Sequence, residues 1–332
     1  MYGAKVVSGS REIRNINLAS GAVRSPATDF DSVNPRVGLI RSLSPATELF
    51  ANVSRLYEAP TLYELEDDVR GNNATLDAMR GLVLEIGTRG SQAFDRHRVY
   101  WDAALYYGRL RGEILSRDDP SAPGTSLSTN VDRTIHAGVE TLVGASFAMD
   151  SAGAHRLEPL VSITLNQFNF ESDAAYGNNR LPAAPRYAIR GELLYRHAGG
   201  TFFGPTFDVI GSRFADFSNT YAVGSYTLWG LRAGYNTKQW EVYGELRNAG
   251  DKKHVSFFSV RDTAASDAAI LTPGEPRSLY VGARLKFQLG FGNAKETVCT
   301  ASTLRHHRNP HSTGGSGAGT FTPASSACPS SS

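Results

Sequence analysis

Cysteine is nearly absent: of 332 residues only Cys299 and Cys328 are cysteine, both close to the C-terminus. The body of the chain therefore holds no disulfide framework and no thiolate metal site. Long apolar runs are missing too, for no stretch approaches the roughly 18 to 20 residues that a spanning helix needs, and the mean hydropathy is slightly polar. Helical membrane proteins are excluded. A membrane β-barrel is not, because only every second residue of a strand of about 10 has to be apolar. Charge of one sign is lacking as well: 34 Lys and Arg against 32 Asp and Glu leave +2, so no bulk field points to nucleic acid. The opening residues, Met1 to Ser8, lack the basic region, apolar stretch and cleavage site of a signal peptide, so the route of export is not visible here.

What the chain has is alternation. In Arg277–Phe287 the residues Leu279, Val281, Ala283, Leu285 and Phe287 share one face, and Ser278, Tyr280, Gly282, Arg284 and Lys286 the other. One face suits hydrocarbon and the other water. The pattern recurs in Gln239–Asn248, Leu160–Asn166 and Tyr187–Arg196, where Arg190, Glu192 and Arg196 oppose Tyr187, Ile189, Leu193 and Tyr195. With Gly, Pro, Asn and Asp as punctuation it gives about twelve strands, near 3–14, 34–43, 47–57, 81–90, 97–116, 132–148, 157–171, 186–198, 202–213, 225–235, 239–250 and 277–287.

A soluble sandwich also alternates, so strand pattern alone does not separate the two architectures. Connection length does. Links 44–46, 91–96, 149–156, 199–201 and 236–238 are short, whereas 58–80, 117–131, 171–185 and 251–276 are long. An up-and-down outer-membrane barrel keeps this parity, with tight periplasmic turns and extended outer loops, and a Greek key has no reason to. The expected fold is therefore an all-β, antiparallel transmembrane β-barrel. The last strand ends on its short-turn side, which puts Phe287 at the periplasmic rim. Tyr57, Tyr100, Tyr106, Tyr107, Tyr195, Tyr226 and Tyr235 are expected in interfacial girdles.

Several segments resemble the C-terminal barrel of TonB-dependent outer-membrane receptors, most like the ferric-siderophore and ferric-citrate type. They are Val33–Thr61 followed by Tyr63-Glu64-Leu65, then Leu84–Arg89, Asn130–Glu140, Leu246–His254 and Gly274–Arg277. Ala249 and Gly250 depart from the pattern, standing where the family has an apolar and an aromatic residue. The resemblance implies a barrel of about 22 strands filled by an N-terminal plug. Residues 1–287 then correspond to about twelve C-terminal strands, with the plug, the TonB-contacting segment and roughly the first ten strands outside this sequence. It further implies the outer membrane of a Gram-negative cell, contact with its lipid, an iron-siderophore-type ligand in the intact receptor, and TonB only through the missing N-terminal region. Phe287 resembles the family's aromatic terminus, which the barrel-assembly machinery reads.

Residues 288–332 are rich in Ser, Thr, Gly and Pro, do not alternate, and are expected to be a disordered tail. His306, His307 and His311 with Cys299 or Cys328 match no ordered zinc spacing, so neither a metal nor another cofactor is expected. No catalytic residue stands out either. His97, His136, His155, His197 and His254 are scattered, with no Ser-His-Asp order, and the chain is expected not to be an enzyme. Ligand-contact candidates are Arg190, Arg232 and Arg284 on the inner face, suited to an anionic chelate by charge and bidentate hydrogen bonding, and a loop patch of Tyr57, Tyr63 and Arg70. Each inner arginine is better explained by the polarity of any barrel interior, where such side chains pair with the plug. Expected alone, the chain would be an inactive, truncated receptor; the alternatives are an autonomous porin-like barrel or a small enzymatic barrel of about twelve strands.

Overall fold

The computed structural model describes residues 1–18, 20–68, 75–119, 122, 125–265, 267, 270–288 and 298–306. One antiparallel sheet dominates. Its strands are β1 (Tyr2–Glu12), β2 (Ala27–Ser44), β3 (Thr47–Glu58), β4 (Met79–Phe94), β5 (His97–Asp118), β6 (Ser126–Ala148) and β7 (His155–Phe170). They continue as β8 (Tyr187–His197), β9 (Thr201–Ile210), β10 (Tyr226–Asn236), β11 (Trp240–Arg247), β12 (Ser278–Gln288) and β13 (Val298–His306). Each strand pairs with the next in sequence. The connections 45–46, 95–96, 149–154, 198–200 and 237–239 are tight turns, as expected; of those between, 13–26, 211–225 and 248–277 carry small two-stranded ribbons, 59–78 the short helix α1 (Leu62–Glu66) and 171–186 isolated bridges only, while 119–125 is shorter than the 117–131 expected because β5 and β6 extend into it.

Side-chain direction follows the ladders. Outward lie rows such as Val53, Leu84 and Tyr107, joined by the pairs Val53↔Leu84 and Leu84↔Tyr107. On the same face Leu39 is 69%, Trp229 58% and Leu285 59% exposed, the reverse of a soluble protein and the arrangement that hydrocarbon stabilises. The inner face is polar. There aromatics cover glycines of the neighbouring strand: a Cβ on Gly144 would lie 2.2 Å from the Tyr100 ring, and one on Gly138 2.4 Å from the Tyr106 hydroxyl. This close approach is why both positions are glycine.

Those contacts correct the expected girdles. Tyr100 and Tyr106 are inner residues, and Tyr226 shares their side of the sheet against His254, because parity and a facing glycine, not proximity to a strand end, decide where a ring goes. Tyr195 and Tyr235 do lie on the outer face beside the short turns, in tilted ring contacts with Phe203 and Trp240 at centroid distances of 5.0 and 5.5 Å.

Strands β5 and β6 run longer than alternation indicated, to 22 and 23 residues. At about 3.3 Å per residue they outreach a hydrocarbon layer of about 30 Å, so their hairpin stands well outside it. Within the stretch expected to be a tail, β13 pairs with β12 from Tyr280↔His306 to Gln288↔Val298. Its physical basis is the open ladder edge of β12, whose unpaired backbone N–H and C=O groups accept a further strand. His307, His311 and Cys328 lie outside the described residues, while His306 and Cys299 fall within β13.

Candidate functional site

The inner wall is built from the even-numbered residues of β2, β3 and β5 to β10 and the odd-numbered ones of β4 and β11, facing one cavity of about 1140 Å³ along β1–β7. Asn34, Arg36, Asn52, Glu85, Arg89 and Glu140 line it. Asn52 Nδ2 donates to Glu85 Oε2 at 2.6 Å, Arg89 meets Glu48 at 3.0 Å, and the Tyr106 hydroxyl donates to Asn166 Oδ1 at 2.8 Å. Beyond the cavity, the three arginines singled out from sequence all face carboxylates. Arg190 lies 2.8 Å from Asp208, Arg232 3.2 Å from Glu192, and Arg284 3.3 Å from Glu241. Arg190 remains largely exposed, and Arg232 also lies over the Phe202 and Tyr243 rings. A ladder of matched charges, not a cluster of free cations, is therefore what this wall offers an anion.

The structure does not bring Tyr57 and Tyr63 together as a patch. Tyr57 is on the outward face, with the Arg80 guanidinium 5.6 Å above its ring, while Tyr63 is exposed on α1. Helix α1 is fixed by a capping box: Thr61 Oγ1 accepts from Glu64 N at 3.2 Å and the Glu64 carboxylate accepts from Thr61 N at 2.6 Å. Arg70 lies outside the described residues.

Sequence reasoning missed the packing of the long connections. Phe170, Leu181, Phe217 and Val131 form one buried cluster, and Ala215, Val223, Phe258, Ala264 and Ile270 another. The centre is Asp216, fully buried. Its carboxylate accepts from Thr220 N at 3.0 Å, Tyr221 N at 3.1 Å and Ala264 N at 3.2 Å, and from the Thr220 hydroxyl. This ties connection 211–225 to 248–277. Connection 171–186 joins through Asn179 Nδ2 to Phe217 O at 3.0 Å and through reciprocal bonds between Asn219 and Arg180. Asp262 then accepts from the Tyr176 hydroxyl at 2.8 Å and pairs with Arg117 on β5. Burial raises the Tyr176 hydroxyl above its ordinary range, and burial followed by the Arg186 charge lowers Arg180. An Asp followed four positions later by Thr was the one legible hint, since such side chains cap backbone amides locally. What results is a cross-braced platform on the long-connection side, above a polar wall.

Comparison with known proteins agrees with this architecture. The family model described as TonB dependent receptor-like, beta-barrel, matches residues 10–249. Among solved structures the chain is similar to the siderophore receptor PiuA from Acinetobacter baumannii, at 18% identity and a TM-score of 0.64 over 85% of this chain and 40% of that one. It is similar also to the ferric yersiniabactin uptake receptor FyuA from Yersinia pestis, at 16% identity and 0.61 over 84% and 41%. For the ferric citrate transporter FecA the values are 18% and 0.59 over 86% and 43%. At such identities the likeness is one of fold, and the chain spans about two fifths of the length of these structures.

Proposed function

Because the chain belongs to the TonB-dependent receptor β-barrel family, we propose that it forms part of the wall and outer platform of an outer-membrane receptor that imports a ferric chelate of siderophore type. The observation that carries this reading is the platform itself: connections braced through Asp216 and Asp262 on the side that faces outward in such barrels, over a wall of paired charges. Platform and wall together are suited to a bulky anionic chelate. Loop carbonyls, hydroxyls and rings contact it first, and ion pairs such as Arg190 with Asp208 exchange partners as it descends.

Passage needs a plug and energy from TonB, which by the family resemblance reside outside the barrel portion represented here. Alone, the chain is proposed to be inactive in import, and its role is that of receptor rather than enzyme. Phe287 is proposed to present the barrel to the assembly machinery.

Titration of the purified chain with catecholate, hydroxamate and carboxylate ferric chelates tests this directly. No specific tight binding is expected for the chain alone. Co-production with the plug and early strands of a related receptor is expected to give saturable binding that Asp216→Ala weakens about tenfold or more. Tight binding by the isolated chain would overturn its dependence on those parts, and failure of every chelate class in the reconstituted barrel would overturn the receptor reading.

A further inference from the structure

The outward face of β3–β6 carries a feature that neither transport nor barrel closure needs. Its apolar belt, Leu84, Tyr107 and Leu105 among others, is capped on the long-connection side by arginines in register. Arg55 sits opposite Leu82, Arg80 opposite Tyr57 and Arg111, Arg109 opposite Leu82 and Ile135, and Arg133 opposite Arg111. All five are exposed, on four adjacent strands. Arg109 meets Glu171 at 2.7 Å, but among the described residues Arg55, Arg80, Arg111 and Arg133 have no carboxylate within 4.0 Å. On the opposite flank of the sheet the outward positions at this level are Tyr187, Thr227 and Leu279, so the charge is local to one side. Four of the arginines line a groove of about 650 Å³ whose floor is Pro35, Val37, Val53, Leu82, Leu84 and Tyr107. A second recess of about 400 Å³ continues from Arg111 to Arg133 and is lined also by Asp132, Glu171 and Ser172, so the phosphate is placed in the first groove.

We propose that this groove is a docking site for a phosphorylated lipid of the outer leaflet, acyl chains on the apolar floor and phosphate on the arginines. The inference rests on the sheet lying in a membrane with its long connections outward, and not on which chelate the receptor takes. Exposed cations above hydrocarbon attract anionic headgroups, and guanidinium groups hold phosphate oxygens through paired N–H donors. The other occupant that charge would admit, a soluble phosphate, leaves the apolar floor open to water. That floor is what selects an amphiphile.

The test is binding of diphosphorylated lipid A to the purified chain in neutral detergent, followed by native mass spectrometry. One bound lipid is expected. Replacing Arg55, Arg80 and Arg111 together by Gln is expected to weaken binding about 100-fold, at roughly fivefold for each surface arginine. Arg41→Gln with Lys238→Gln, at the opposite rim, is expected to leave it unchanged. Dephosphorylated lipid A should bind as weakly as the triple variant, and millimolar inorganic phosphate should not compete. Equal binding by triple variant and parent, or by lipid with and without phosphate, would overturn the proposal, and displacement by inorganic phosphate would assign the site to a free anion instead. Heat-modifiable migration of each variant, scored separately, reports barrel folding, so loss of the barrel is distinguished from loss of the site.

Discussion

Asp216 combines full burial with a negative charge, a combination that is costly unless hydrogen bonds satisfy the carboxylate, and here backbone amides from two connections do so. Removing that carboxylate orphans those donors. Asp216→Ala is expected to cost about 1 to 3 kcal/mol of local stability, seen as faster amide exchange at Thr220 and Ala264 with the belt strands unchanged. Glycines under rings are the inner wall's counterpart. Gly138→Val is expected to destabilise the barrel by about 1 to 3 kcal/mol, because the Tyr106 ring occupies the space a side chain would take, and the temperature of loss of heat-modifiable migration measures it. Of the residue-scale picture, the inward direction of Arg190, Arg232 and Arg284 was legible from parity alone. Their partners Asp208, Glu192 and Glu241 were not, since pairing depends on register between strands and, for Arg232, on reaching across β9.

At the scale of elements, the hairpin turn 149–154 is held by Asp150, whose carboxylate accepts from His155 N at 2.9 Å. That bond from His155 comes first among the causes that lower the Asp150 pKa. A lowered carboxylate pKa contributes stability above its unfolded value, and this is lost as pH falls through the folded one. Amide exchange at His155 is therefore expected to be slow at neutral pH and to accelerate below the ordinary carboxylate range, and Asp150→Asn should remove that pH dependence. For α1, Thr61→Ala is expected to loosen the helix by about 1 kcal/mol, read as faster exchange at Glu64. The strands crossing the belt were readable because hydrocarbon on one side and water on the other impose a period of two. Past the belt β5 and β6 lose the hydrocarbon on their outer side and pack partly against the long connections, as Val131 does, so the period of two fades and the alternation ends β5 early and begins β6 late. Gly112, with φ at 63°, adds to this: Glu113 follows it toward the inner face, where it lies 2.9 Å from His136.

For the whole molecule, orientation is the testable consequence of connection length. A cysteine at Asn178, in a long connection, is expected to react with an impermeant maleimide on intact cells, whereas one at Lys238, in a short turn, should react only after the outer membrane is breached. Reversed labelling would invert the barrel and, with it, the outer-leaflet position of the arginine groove.

By itself the sequence determined the all-β class, the strands that cross the belt, their faces and the parity of their connections. All of these follow from a solvent that differs across a sheet and from turn residues acting over a few positions. The closing strand was readable for the same reason. Only the tertiary structure decided which charges pair, that Tyr100 and Tyr106 turn inward, that the long connections lock through Asp216, and that arginines from β3 to β6 meet as one groove. Those are contacts between residues far apart in the chain, fixed by strand register and packing, and a period read along one strand carries no information about the register of the next.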